Sequence, residues 1–331
     1  VSGPCIVGPT RRRRGVGASP AVGAGGARTR TAAVTQPSSR RRAPFHRFVT
    51  IGREHRGMQA SASLTLGVVP SRSGSARPWL AAAALLVLAG SLLQVGGLSK
   101  AWMLAAHREP LLPPTLWSVT TQLGTGLAVI AIASLLDALR VRLLGALGVA
   151  FVLGGVATHL PKWIAPLPRP AASPLHEWMV YIGDPIGGSA SMPSGHALAA
   201  FALATLLCRS SPLLARQPAL RVAVLGAAAL VAWSRVAVGA HWPADVLVGA
   251  GLGIGCALLA IRLALRLRLD ARLRGRIGGA ASMLLQGIAL VMLLASPVSG
   301  PWAQPTQWLL ATLLALALLL RLRGGGTERA Q

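Results

Sequence analysis

A succession of apolar runs, each close to the roughly 20 residues a helix needs to cross a bilayer, constrains this chain more than any other feature. They fall at 79–98, 116–136, 143–160, from 195 to beyond 208, and at 222–238, 243–261, 278–297 and 306–320. Only 12% of the 331 residues are charged, against about 25% in a soluble domain. The sequence therefore predicts an all-α fold. It is a polytopic transmembrane helical bundle, with a six-span core over 78–266 and an extra transmembrane hairpin over 276–323. The hairpin is open to three roles: packing on the core, an oligomer contact, or lipid selection.

Residues 1–77 are of another kind. They are rich in Arg, Ala, Gly, Ser and Pro, with solid basic runs at 11–14 and 40–42. Such a stretch cannot bury a core and is expected to be disordered. Met58 is an alternative first residue, which would make the part before it an overextended start. Arg41-Arg42 is not closely followed by the apolar stretch that a twin-arginine signal needs.

The net charge of +25 raises the question of nucleic acid. It is excluded as a partner because the basic residues flank apolar spans and form no folded basic face. Instead they set orientation. If the spans alternate, Arg77, Arg140, Arg142, Arg209, Arg216, Arg221, the run from Arg262 to Arg276, and Arg321 share one side, the cytoplasmic one. Lys100 and Arg108 dissent. Trp102, Trp117, Trp163, Trp178, Trp242, Trp302 and Trp308 then fall near the opposite face, as an interfacial belt would. The Ala, Leu, Gly and Arg content suggests a bacterial inner membrane, with the outer face periplasmic. Cys208 and Cys256 lie inside apolar spans and read as small buried hydrophobes, with no disulfide framework or metal spacing.

Within this apolar sequence lies a charged island, Ser234-Arg235-Val-Ala-Val-Gly-Ala-His241-Trp-Pro-Ala-Asp245. Ionisable groups at membrane depth are costly and usually mark function. Pro243 suits the first turn of a helix, which places His241 just before it and Asp245 in that turn. His and Asp four apart can meet, as a nucleophile or base with its orienting carboxylate. The plainer reading is a helix-start charge beside an interfacial histidine.

Two further stretches bear on that choice: Lys162-Trp-Ile-Ala-Pro-Leu-Pro-Arg169-Pro170 and Pro193-Ser194-Gly195-His196. The alternating topology puts all three at one level on the outer face. Ser194 suits an N-cap, Gly195 permits close approach, and a helix opening there offers free N–H groups to an anion. Pro166, Pro168 and Pro170 keep the chain between Lys162 and Arg169 out of helix, so that both heads can turn inward. Either residue alone reads as ordinary snorkelling at a helix end.

The three stretches together resemble the signature of the type 2 phosphatidic acid phosphatases, which share a superfamily with the vanadium haloperoxidases. The resemblance spans about 79–265. It implies that His241 attacks phosphorus and carries a phosphohistidine intermediate, with Asp245 holding its ring. It implies that His196 protonates the leaving oxygen and then activates water. Lys162, Arg169, Ser194, the Gly195 amide and Arg235 would hold the phosphoryl oxygens. No cofactor and no metal are implied, because cationic side chains take the metal's place. Glu177 and Asp184, the only carboxylates between the first two motifs, read as loop residues or as headgroup contacts. His159 and His176 match no family position and read as interfacial.

The expected partners are the bilayer and a lipid phosphate or diphosphate substrate, undecaprenyl diphosphate among them; the motifs choose no one lipid and fix no oligomeric state. A vanadate-dependent haloperoxidase is disfavoured by the spans, and a transporter or scaffold with a degenerate site by the intact His196, His241 and Asp245. From 195 to 208 a helix rises about 21 Å, short of a core of about 30 Å. Either it continues past Pro212, or the second motif sits at or below headgroup depth.

Overall fold

A computed structural model of the chain describes residues 75–108, 111–139 and 141–327, so the expectations for the tail before residue 75 lie outside it. The described chain is an all-α polytopic bundle. Its helices are α1 (Arg77–Val95), α2 (Leu98–Arg108), α3 (Pro114–Gln122), α4 (Gly126–Ala138), α5 (Leu144–Ile164), α6 (Gly195–Ser210), α7 (Pro212–Arg216), α8 (Pro218–Ala237), α9 (Pro243–Arg266), α10 (Leu269–Arg272), α11 (Arg276–Ala295) and α12 (Ala303–Thr327). Helices α1, α5, α8, α9, α11 and α12 are each long and apolar enough to cross a membrane.

Two expected spans take a different form. The second is broken: α3 and α4 meet at a bend of 67°. Thr125 causes the break, because its hydroxyl accepts the Ala128 N–H at 3.1 Å and starts a new helix as an N-cap. The fourth stops at Ser210. Ser211 caps the separate α7, with Pro212 in its first turn, so α6 does not run past Pro212. Its 16 residues rise about 24 Å, still less than a bilayer core of about 30 Å. Helix α2 was not foreseen; it follows a turn at Gly97, whose φ of +70° suits glycine.

Helix α9 is the axis of the core and is buried along most of its length. Glycines permit close approach on two of its sides. A Cβ at Gly249 or Gly253 would run into the α6 backbone at Ser194 or Leu198. At Gly251 it would lie 2.6 Å from the Ala83 carbonyl of α1. Lipid tails are as apolar as leucine, so association inside a membrane depends on packing of this kind.

The C-terminal hairpin packs on α4, with Ala128 and Ala131 against Ala289, Leu293, Leu310, Ala311 and Leu314. At one end Arg321 of α12 pairs with Asp137 of α4 and donates to Ser282 Oγ at 3.0 Å. At the other, Gln307 Nε2 donates to the carbonyls of Leu293 and Ser296, closing the turn between α11 and α12. Of the expected tryptophan belt, Trp102, Trp163, Trp178, Trp302 and Trp308 are exposed, but Trp117 and Trp242 are packed inside. Cys208 is buried, Cys256 partly so, and both are free thiols.

Candidate active site

The site lies where the end of α5, the start of α6 and the α8–α9 link meet. Asp245 sits at the third position of α9, fully buried. Its Oδ2 accepts the Trp242 N–H at 3.0 Å, which holds the helix start, and the Ser191 hydroxyl. It also lies 3.3 Å from His241 Nδ1. A carboxylate can only accept, so Nδ1 carries the proton and Nε2 keeps its lone pair. Burial pushes the His241 imidazole from 6.5 down to about 4, against the Asp245 hydrogen bond and charge, which raise it. The ring is therefore neutral at physiological pH.

The second motif is bolted to the third through the backbone. Ser194 N–H donates to the Asp245 carbonyl at 3.0 Å, and α6 begins at the next residue. Ser194 occupies the N-cap position, yet its hydroxyl caps nothing. It is buried and has no protein partner. His196, in the first turn, lies within electrostatic reach of Arg235, His241, Arg169 and Lys162.

The first motif arrives in two parts. Helix α5 runs on through Pro161 to Ile164, so Lys162 sits in its last turn rather than in irregular chain. A cation there also suits the helix dipole. Arg169 follows in extended chain, and its guanidinium donates to the Ala240 carbonyl at 3.2 Å, one residue from His241. Trp242 Nε1 donates to the Pro168 carbonyl at 2.8 Å, which explains why this tryptophan faces inward. Arg235, on the last turn of α8, is buried; it donates to Thr121 Oγ1, and its Nε has no protein partner. No ion pair among the described residues holds Lys162, Arg169 or Arg235. Three cations thus surround a single carboxylate that is already bound to a histidine, a serine and a backbone amide. Such a surplus of positive charge and free donors suits a polyanion.

Sequence reasoning did not single out four contributors. Ser191 orients Asp245 from 54 residues away. Thr121 holds Arg235, and Gly124 lies against His196 with no room for a Cβ; both flank the break between α3 and α4. The Gly-Thr-Gly run at 124–126 was the available signal. His107 of α2 accepts the Val180 N–H at Nδ1 (3.1 Å) and donates from Nε2 to the Val236 carbonyl (3.0 Å), joining the site loop to α8. His176 bonds only its own turn, at Ser173, and His159 is exposed.

Residues 143–268 match the model of the PAP2 superfamily. Two solved structures are similar in part. LpxE of Aquifex aeolicus is 26% identical, with 49% of this chain and 94% of that one covered and a TM-score of 0.43. The first transmembrane PAP2-type phosphatidylglycerolphosphate phosphatase from Bacillus subtilis is 24% identical, with 57% and 96% covered and a TM-score of 0.42. No curated protein matches the chain.

Proposed function

We propose, from the match of residues 143–268 to the PAP2 superfamily model, that this is an integral membrane phosphatase that hydrolyses a lipid phosphate or diphosphate through a phosphohistidine. The carrying observation is an anion socket. The unpaired cations Lys162, Arg169 and Arg235, the partnerless Ser194 hydroxyl and the α6 N-terminus converge beside a neutral, oriented imidazole.

The geometry supports an in-line route. The phosphoryl oxygens rest on the three cations, Ser194 Oγ and the Gly195 N–H, so that charge spread over them meets fixed donors. His241 Nε2 attacks phosphorus, and the developing imidazolium is stabilised by Asp245 through Nδ1–H. His196 gives its proton to the leaving oxygen, and the P–O bond breaks. In the second step His196, now neutral, takes a proton from water, whose oxygen attacks phosphorus. The P–N bond breaks, and inorganic phosphate leaves. The cations do the charge neutralisation, so the reaction runs without a metal. The socket lies at headgroup depth because α6 is short, and it faces the periplasm of a bacterial inner membrane because the Arg-rich ends lie opposite.

The test is phosphate release from a panel of lipid phosphates and diphosphates by the purified full chain in detergent, with and without chelator. Release that vanishes in His241→Ala and survives the chelator is expected. No release from any member of the panel sinks the phosphatase reading, while loss in chelator that added metal restores overturns the metal-free route.

A further inference from the structure

Two cavities meet at His196, and their walls differ in chemistry. One, about 270 Å³, runs between α4, α5 and α6 past Leu147, Phe151, Gly154 and Ala202, and its lining is mostly apolar apart from Thr158, His159 and His196. The other, about 300 Å³, has His196 and Arg235 on one side and the C-terminal hairpin on the other. Half of its lining is apolar, and the other half includes Thr121, Gln122, Ser296, Ser299 and Gln307, hydroxyl and amide groups, with the carboxylate of Asp184. Among the residues that line it Arg235 is the one arginine or lysine, and Arg235 already belongs to the phosphate socket.

The hairpin wall is built in, not merely adjacent. Gln307 fixes the turn that carries Ser296. Ser299 Oγ accepts the Asp184 N–H at 3.0 Å, which ties that turn to the loop beside the site. Gly183, at φ +83°, lies so close to Ser299 that a Cβ would come within 2.9 Å of its hydroxyl. The hairpin lies outside residues 143–268, so nothing in the shared family region supplies this wall.

We infer that the α11–α12 hairpin is the specificity element of the enzyme, and that the cavity it closes receives a hydroxyl-bearing leaving group, glycerol or sugar, next to the scissile phosphate. The inference rests on the phosphatase reading, in which His196 stands beside the leaving oxygen; whatever carries that oxygen must occupy a cavity His196 lines. Hydroxyl groups find donors and acceptors there. The second phosphate of a diphosphate finds no lysine or arginine of its own and one carboxylate, so it is disfavoured by charge. Hydrocarbon chains belong in the apolar cavity.

The experiment compares kcat/KM of the purified full chain on four substrates: a lipid with a terminal glycerol phosphate, a lipid with a sugar phosphate, phosphatidic acid, and a polyprenyl diphosphate. The wild type is expected to favour the glycerol or sugar substrate by at least about tenfold, a modest discrimination for a hydrogen-bonding pocket. Which of the two leads identifies the hydroxylated unit. Val298→Trp, on the hairpin turn that lines the cavity, should bring that preference to about parity by filling the space. Asp184→Lys should raise diphosphate turnover relative to the others. Both variants are checked for an unchanged thermal transition, and the charge variant keeps the test alive if the tryptophan perturbs folding. An active wild type that prefers phosphatidic acid or the diphosphate overturns the inference and leaves the phosphatase reading standing, as does a preference that neither variant alters. A wild type inactive on all four overturns both.

Discussion

His241, Asp245 and Ser191 are all buried and bound to one another, while Lys162 and Arg169 stand partly exposed at a helix end and on a proline-rich strand of chain. The α8–α9 half of the site is thus rigid before any substrate arrives. The α5 half offers its charge on side chains that are partly exposed. Charge of that kind attracts and seats an anion, whereas a fixed ring and carboxylate serve a step that tolerates no misalignment. The contrast predicts that damage to the two halves shows up in different kinetic constants.

The largest effect is expected for His241→Ala, a loss of at least about 10³ in kcat, since among the described residues no other imidazole has a carboxylate at Nδ1. Ser191→Ala should follow. Removing a hydrogen bond to a charged group costs about 1.5–3 kcal/mol, or roughly 10- to 100-fold in kcat if Asp245 then lets the ring drift. A purely structural Ser191 would instead lower the melting temperature and spare kcat in the folded fraction. Lys162→Ala should weaken binding of inorganic phosphate or vanadate about tenfold, near 1.4 kcal/mol, with Lys162→Arg restoring most of it. Were Lys162→Ala to reduce kcat as severely as His241→Ala, the two halves would not be distinct.

The smallest effect is on the pH profile. A ring whose folded value is about 4 stays unprotonated until well below neutrality. The acid limb of kcat/KM due to His241 should therefore appear near pH 4, not 6.5. Stability has the matching sign. The unfolded state protonates first, so the contribution of this group is complete above about 6.5 and is lost as pH falls toward 4. Asp245→Asn removes both influences that raise the value and should move the limb further down. A limb that stays near 6.5 would mean the ring is more hydrated than the structure shows.

The sequence made the fold class and the meeting of the three motifs legible, because apolar runs mark the helices and alternation suggests which ends share a face, although two of the eight runs do not form one straight spanning helix. Ser191 was not legible. It lies three residues before Ser194 in a Gly- and Ser-rich stretch, and nothing local says which serine reaches a carboxylate 54 residues on. The broken second span escaped for a different reason. The stretch 116–136 has the length of one span, and the polar residues at 120–122 with the Gly-Thr-Gly run at 124–126 mark a break that the cap at Thr125 makes. The hairpin's dock was likewise invisible, since its contacts are an amide, a hydroxyl and two glycines that any loop could carry.

The glycines of α9 have a mechanical consequence. With the Ser194 and Leu198 carbonyls pressed against Gly249 and Gly253, the two helices that bear His196 and Asp245 have no slack along which to shear. On the phosphatase reading, the headgroup comes to a site already set between these two helices rather than being clasped by them.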